Sequence, residues 1–437
     1  MKGKKKIASI LACAMLLSAA PVEAMAYTVP DTVRVGLESV CKNVASALQI
    51  GMQKGDGFQR GGVITSSGLF TARPAVGDYI AVDKTMDCAD ALDMANDMKK
   101  SGLDTYAAYL SGRDWTVYVK DASASAVEEA ADENASRVSF EGVAITGGEA
   151  PVLVPEDAVM MGGNVADTFK LNSMPYRGML TFSVNGSSMT GVNIIGLEEY
   201  LYGVVPSEMP KSYDAEALKA QAVAARTYAM TKLGAHAGSG YQLCDTTACQ
   251  VYKGYSNEAD ATTAAVDATA GEVACYNGSP IEAVFSASTG GYTESSENVW
   301  NTAVPYLRAV PEPGEYGDNS WTKALTLDEL TALLQAKGEN IGTAKDIVIT
   351  KISTGGRVQE LQIVGTSGTK TLTKEAIRTY FSSACGTLPS KMFTINGKGG
   401  TVTGGTSTST KGGLLSAAAR QGIVAKTEGA LSYLNGK

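Results

Sequence analysis

The sequence predicts an α+β protein of mixed α/β character, with strands and helices interspersed along the chain. Three observations carry this. Short alternating runs such as Val33-Arg34-Val35-Gly36-Leu37 have the two-residue period of a half-buried strand. Residues 88–100 and 214–232 place small and apolar residues at the three- and four-residue spacing of a helix face. The composition, 44% hydrophobic and 19% charged over 437 residues, suffices for two or three packed domains and is not that of a disordered chain.

The first element is not part of the fold. Lys2, Lys4, Lys5 and Lys6 precede an apolar run from Ile7 to Ala20, and Ala24-Met25-Ala26 offers a small-residue cleavage site before Tyr27. This is the layout of a secretory signal peptide over residues 1–26. The chain is therefore expected to be exported: extracellular, in the cell wall, or on the outer face of the membrane. The alternative, an uncleaved anchor, requires a longer apolar run. Residues 27–78 hold the first strand and a Gly-rich segment.

Residues 79–133 follow a β-α-β-β-α rhythm. Tyr79-Ile80-Ala81-Val82 reads as a strand and Cys88 to Lys100 as a helix ended by Gly102. Thr105 to Leu110 and Trp115 to Val119 read as strands, and Ser123 to Glu133 as a second helix. This order resembles a SPOR domain, a small module that binds glycan strands lacking stem peptides; a generic α+β insertion is the alternative. Residues 138–397 read as the main, catalytic domain. Residues 398–413 are nearly all Gly, Thr, Ser and Lys and read as a flexible linker, and 414–437 as a helical tail.

The net charge is −8, and more negative without the basic residues 2–6, which argues against nucleic acid as a partner. Beyond residue 26 the cysteines are Cys41, Cys88, Cys244, Cys249, Cys275 and Cys385. An exported chain can oxidise such residues, but one of this length does not need disulfides to fold.

The most informative segment is GLEEYLYGVVPSEMPKSYDAEALKAQAVAARTYAM, residues 196–230. Pro206 and Pro210 bracket Ser207-Glu208-Met209, so Glu208 is expected in a stiff, short turn. Asp214 offers an N-cap to the small-residue helix that follows. By residue type alone a Glu is more often an exposed loop acid than a catalytic one.

LEEYLYGVVPSEMP followed by EALKAQAVAARTYA resembles the signature of the SpoIID/LytB (stage II sporulation protein D) family. The likeness continues through CDTTACQVYKG at 244–254, AVFSASTGGYTESSENVW at 283–300 and PYLRAV at 305–310, with VRVGL near residue 35 as an earlier piece. It implies a lytic transglycosylase that cleaves between N-acetylmuramic acid and N-acetylglucosamine in denuded peptidoglycan glycan strands. The catalytic acid of that family's P-S-E-M-P turn falls on Glu208. A single carboxyl group suffices: neutral, it protonates the glycosidic oxygen; ionised, it takes the proton of the muramic C6 hydroxyl as that oxygen closes a 1,6-anhydro ring. Such a role calls for a partly apolar site, to which Tyr202, Val204, Val205 and Met209 are candidates. A hydrolase would need a second carboxylate, with Glu198, Glu199, Glu216 and Asp245 available. The likeness further implies a substrate groove involving Gln221, Arg226, Tyr228, Gln250, Tyr252 and Ser288; for Arg226 and Tyr228, salt bridging and packing on a helix face are equal alternatives.

His236 is the one histidine in the chain and precedes Cys244 and Cys249 as H-x7-C-x4-C. Imidazole and two thiolates suit zinc, and some clostridial members of the family carry zinc on such a set. A Cys244–Cys249 disulfide is the other reading. With no second histidine, a Ser/His/Asp triad elsewhere is excluded.

The chain departs from the family in lacking its usual G-H-G-V-G-M-S-Q-like closing segment. Two functional expectations stand: a lytic transglycosylase acting with other sporulation wall-remodelling proteins, or a non-catalytic wall-binding protein or activator of another wall hydrolase, as the LytB branch suggests.

Overall fold

The computed structural model describes residues 29–395 except 55–57, 61–62, 66–68, 121–135, 148–150, 157, 160, 163–167 and 313–320, together with 414–417. The signal-peptide region, the expected helix at 123–133 and the 398–413 linker lie outside the described residues. Helices and strands alternate, as the sequence predicts.

The site-bearing part is a four-stranded sheet covered by helices. Its strands are Thr32–Gly36 (β1), Met179–Asn185 (β2), Ser188–Gly196 (β3) and Leu243–Cys244 (β4), in the order β2-β3-β1-β4. The two-residue turn at Gly186 makes β2 and β3 a hairpin. β1 runs antiparallel to β3 and parallel to β4, with Val35 opposite Leu243 and Gly36 opposite Cys244. An N-terminal strand thus sets the register of a segment some two hundred residues later.

Leu197–Glu208 (α1) is a helix because Leu197, Tyr200, Leu201, Val204 and Val205 fall on one face and are all buried. This corrects the expected turn: the helix runs through Pro206 and ends at Glu208. Proline removes one N–H from the helix ladder. Two bonds flank the gap, Ser207 Oγ–H to the Gly203 carbonyl at 2.6 Å and Met209 N–H to the Val205 carbonyl at 2.9 Å. Gly203 lets the helix approach Tyr252, whose ring carbon would lie 2.6 Å from a Cβ placed there. Ala215–Thr231 (α2) follows. Asp214 stands at its N-cap, as predicted, but makes no side-chain cap bond. Buried Ala217, Ala220, Ala222, Ala224, Ala225 and Ala229 allow close packing.

The β-α-β-β order expected from residue 79 is present, but its pairing extends past both expected boundaries. The first strand is Phe70–Met86, so the 78/79 boundary falls inside it. Thr105–Ser111 and Asp114–Lys120 pair beside it, and Val152–Pro155 and Ser136–Thr146 continue the sheet back to Phe70–Met86, closing five strands into a ring. Buried alanines of helix Cys88–Lys100 pack on Trp115 and Val117.

Beyond residue 320 lies a separate aliphatic core, so the expected 138–397 domain holds two cores. Strands Ala344–Ile352, Val358–Gly365 and Thr369–Thr373 form a meander against helix Leu327–Ala336, whose N-terminus carries a Thr326/Glu329 capping box. The expected helical tail is corrected at its start: Leu414–Ala417 is a strand pairing with Trp321–Ala324 and Thr394–Ile395, because those edges offer unpaired backbone groups. Residues 418–437 lie outside the described residues. Arg357 joins the two parts, donating to the Tyr292 carbonyl at 2.7 Å and the Thr289 carbonyl at 2.6 Å, while Ser353 Oγ donates to Glu294 at 2.5 Å. Among the described residues no helix is long and apolar enough to cross a membrane.

Candidate functional site

Glu208 is the last residue of α1 and half-buried. Its Oε1 accepts the Val251 N–H at 2.7 Å. Its other oxygen makes no hydrogen bond to the described residues, which leaves one carboxyl oxygen available to a ligand. Of the expected apolar neighbours, Val204 and Val205 are fully buried in the core beneath it, whereas Tyr202 Oη turns away to donate to Asp267 at 2.6 Å. Ser207 Oγ accepts from Asn257 Nδ2 at 2.8 Å, which fixes the helix end that carries Glu208.

The other carboxylates considered for a second catalytic role are mostly engaged. Glu198 holds Arg226, Glu216 pairs with Lys219, and Asp245 accepts from both the backbone and the hydroxyl of Ser39. Burial pushes the Asp245 carboxyl above the usual range, opposed by the Ser39 bonds.

Two residues before Val251, at Cys249, the chain reaches the second cluster. The ligand atoms of His236, Cys244 and Cys249 all lie within 4.8 Å of one another, and His236 Nε2 is 3.3 Å from Cys249 Sγ. Both thiols are free. A tetrahedral zinc with bonds of about 2.0–2.3 Å needs donors spaced this way, with only a small contraction. Burial pushes the Cys249 thiol up to about 11. Cys244 is wholly buried at the register position opposite Gly36, and its sulfur is 3.2 Å from Thr246 Oγ1. The residues therefore fit a zinc ion, supplying three of the four donors that a tetrahedral site takes.

The expected groove residues divide. Arg226 is fully buried: it forms a bidentate pair with Glu198 at 2.8 and 2.5 Å and donates to the carbonyls of Glu272 and Val266. Such a guanidinium is structural and cannot meet a glycan. Tyr252 is also buried, its hydroxyl donating to Asn193 Oδ1 at 3.0 Å. Gln221, on α2, and Gln250, beside it, are both buried, and Gln250 Nε2 donates to the Ala225 carbonyl at 3.2 Å. Gln221 Nε2, Gln250 Oε1 and Tyr200 Oη make no hydrogen bond among the described residues; buried polar atoms of this kind call for a bound water or ligand group. Tyr228 is half-buried, its ring edge against Phe285 and Lys232 above its face. Ser288 is exposed, in the loop after Phe285.

Sequence reasoning missed Glu198 as the partner of Arg226, and missed Glu38 and Tyr241 beside His236. Glu38 follows the VRVGL strand directly, and that strand was the one available signal.

Comparisons with known proteins match two family models to the chain. Residues 185–276 match the model of the Stage II sporulation protein family, SpoIID, and residues 315–412 match a domain of unknown function, DUF8618. An uncharacterized protein of Brachyspira hyodysenteriae is 37% identical over 231 residues, covering 52% of this chain and 61% of the relative. The amidase enhancer of Bacillus subtilis is 49% identical over 130 residues, 30% of this chain and 17% of the relative. Stage II sporulation protein D of Bacillus subtilis is 39% identical over 163 residues, 33% and 48% of the two chains. The chain spans less than two thirds of the length of each of these relatives. The residues that match the SpoIID family model are those that carry Glu208 and the His236, Cys244 and Cys249 cluster.

Proposed function

We propose that this chain is an exported lytic transglycosylase that cleaves denuded peptidoglycan between N-acetylmuramic acid and N-acetylglucosamine. A sporulation-related role in the cell wall is the coarser reading that the named relatives support. The observation that carries the finer one is Glu208: a half-buried carboxyl on a rigid helix end, one oxygen fixed by Val251 N–H and the other open.

In this reading Glu208 gives its proton to the glycosidic oxygen, the C1–O bond breaks, and the N-acetylglucosamine hydroxyl leaves. The Glu208 carboxylate then takes the proton of the muramic C6 hydroxyl while O6 bonds to C1, giving the 1,6-anhydro end. The Val251 N–H supports the charged form at mid-reaction. His236, Cys244 and Cys249 would hold zinc, which would pin the chain at Cys249, two residues from Val251.

Digestion of denuded strands by the mature protein and by Glu208→Ala, with mass spectrometry of the products, tests this. Anhydro-muramic ends are expected from the unaltered protein alone; reducing ends would make it a hydrolase. One observation favours a second reading, a wall-binding protein that activates another hydrolase. The 49% identity to an amidase enhancer exceeds that to stage II sporulation protein D. Strand binding without cleavage by either protein, with zinc supplied, would favour the wall-binding reading.

A further inference from the structure

The His236 ring spans two partners. Nε2 faces Cys249 Sγ at 3.3 Å, and Nδ1 faces Glu38 Oε1 at 3.7 Å. The same Oε1 accepts the Tyr241 hydroxyl at 2.6 Å, and the Tyr241 ring stacks on the imidazole with centroids 5.2 Å apart. Oε2 takes Lys42 Nζ at 2.7 Å. The histidine is thus held in its plane by Tyr241 and faced edge-on by a carboxylate, with the other edge toward the thiols.

We propose that Glu38 is the positioning residue of the metal centre: it holds the proton of His236 on Nδ1 and so presents Nε2 to the cation. The inference rests on the zinc reading above and adds to it that a site in residues 236–249 is completed from the turn that follows the N-terminal strand. Metal-bound histidines commonly give their second ring N–H to such a carboxylate, which fixes the tautomer and raises ligand basicity. The alternative is that Glu38 merely pairs with Lys42 at the surface. Burial argues against it: the Glu38 side chain is 7% exposed and that of Lys42 55%. A carboxylate removed from water to this extent requires several partners, and two of the three residues around it form the His236 pocket. Its place is fixed by backbone as well, because Ser39 N–H and β1 anchor the segment to Asp245 and Cys244.

Because the chain has one histidine, long-range proton–nitrogen NMR of the full chain reports this ring without assignment. With zinc bound, the unaltered protein is expected to show a protonated Nδ1 and a metallated Nε2. Glu38→Gln should bind zinc about 10–100-fold more weakly in competition with a chelator and shift the Nδ1 signal. Tyr241→Phe, which keeps the stacked ring and frees Glu38 Oε1, should retain the tautomer and still bind zinc. Lys42→Ala should leave zinc affinity within about twofold, since Lys42 is itself exposed and pairs with Oε2, not with the oxygen that faces His236. Unchanged zinc affinity and nitrogen shifts in Glu38→Gln would overturn the proposal while the zinc reading stands. Absence of zinc binding by the unaltered protein would overturn both. If Glu38→Gln does not fold, metallation at Nδ1 rather than Nε2 in the unaltered protein decides against it.

Discussion

The two cores of this molecule are built from different chemistry. Residues 321–395 bury Leu330, Leu334, Leu361, Ile363, Ile377 and Phe381, and Gln359 is the one buried polar side chain among the described residues there. Residues 181–296 bury Asn193, Gln221, Arg226, Asp245 and Gln250 among their apolar neighbours. An aliphatic core needs volume and pattern alone. A core with buried polar groups needs each partner in place, and so fixes directions as well as positions. The second kind lies under Glu208 and the metal-ligand cluster, where direction matters; the first serves as a packed support, joined through Arg357 and Ser353.

The sharpest test of that difference is Arg226→Ala. It leaves Glu198 without its partner and two carbonyls without donors, and should cost about 3–5 kcal/mol in denaturant unfolding. Replacing the pair together, Arg226→Met with Glu198→Leu, should recover most of the loss. If it does not, the pair is more than an internal tie. Leu334→Ala in the other core should cost about 2–4 kcal/mol by transfer and cavity terms, with zinc content and strand cleavage unchanged at temperatures where the chain stays folded. A change in either at low temperature would break the comparison by coupling the support to the site. The smallest effect is expected at Lys219→Ala, whose partner Glu216 is largely exposed: within about 0.5 kcal/mol by unfolding.

What could be read in advance follows the same line. Helix α2, predicted over 214–232, is found at Ala215–Thr231 because its small-residue face is local information. The His236, Cys244 and Cys249 set comes together for a similar reason, lying within one short stretch. Arg226 could not be assigned by that route. Its partner is 28 residues away and its burial depends on the Glu272 loop. Glu208 was placed at the right junction but in the wrong element, since two hydrogen bonds let α1 continue through a proline that local propensity would treat as a stop. The boundary at 78/79 failed because strand Phe70–Met86 takes its partners from residues 136–146, which no local pattern reveals.

Strand β1 has a consequence for how the protein comes into being. It emerges from the ribosome early, yet its neighbours β3 and β4 follow after some 150 and 200 further residues. Pairings of such long range form slowly, because the intervening loop must close first. The helix bearing Glu208 and the clamp on His236 both wait on that closure. A chain interrupted before Val251 therefore carries Glu208 without the backbone donor that aims it.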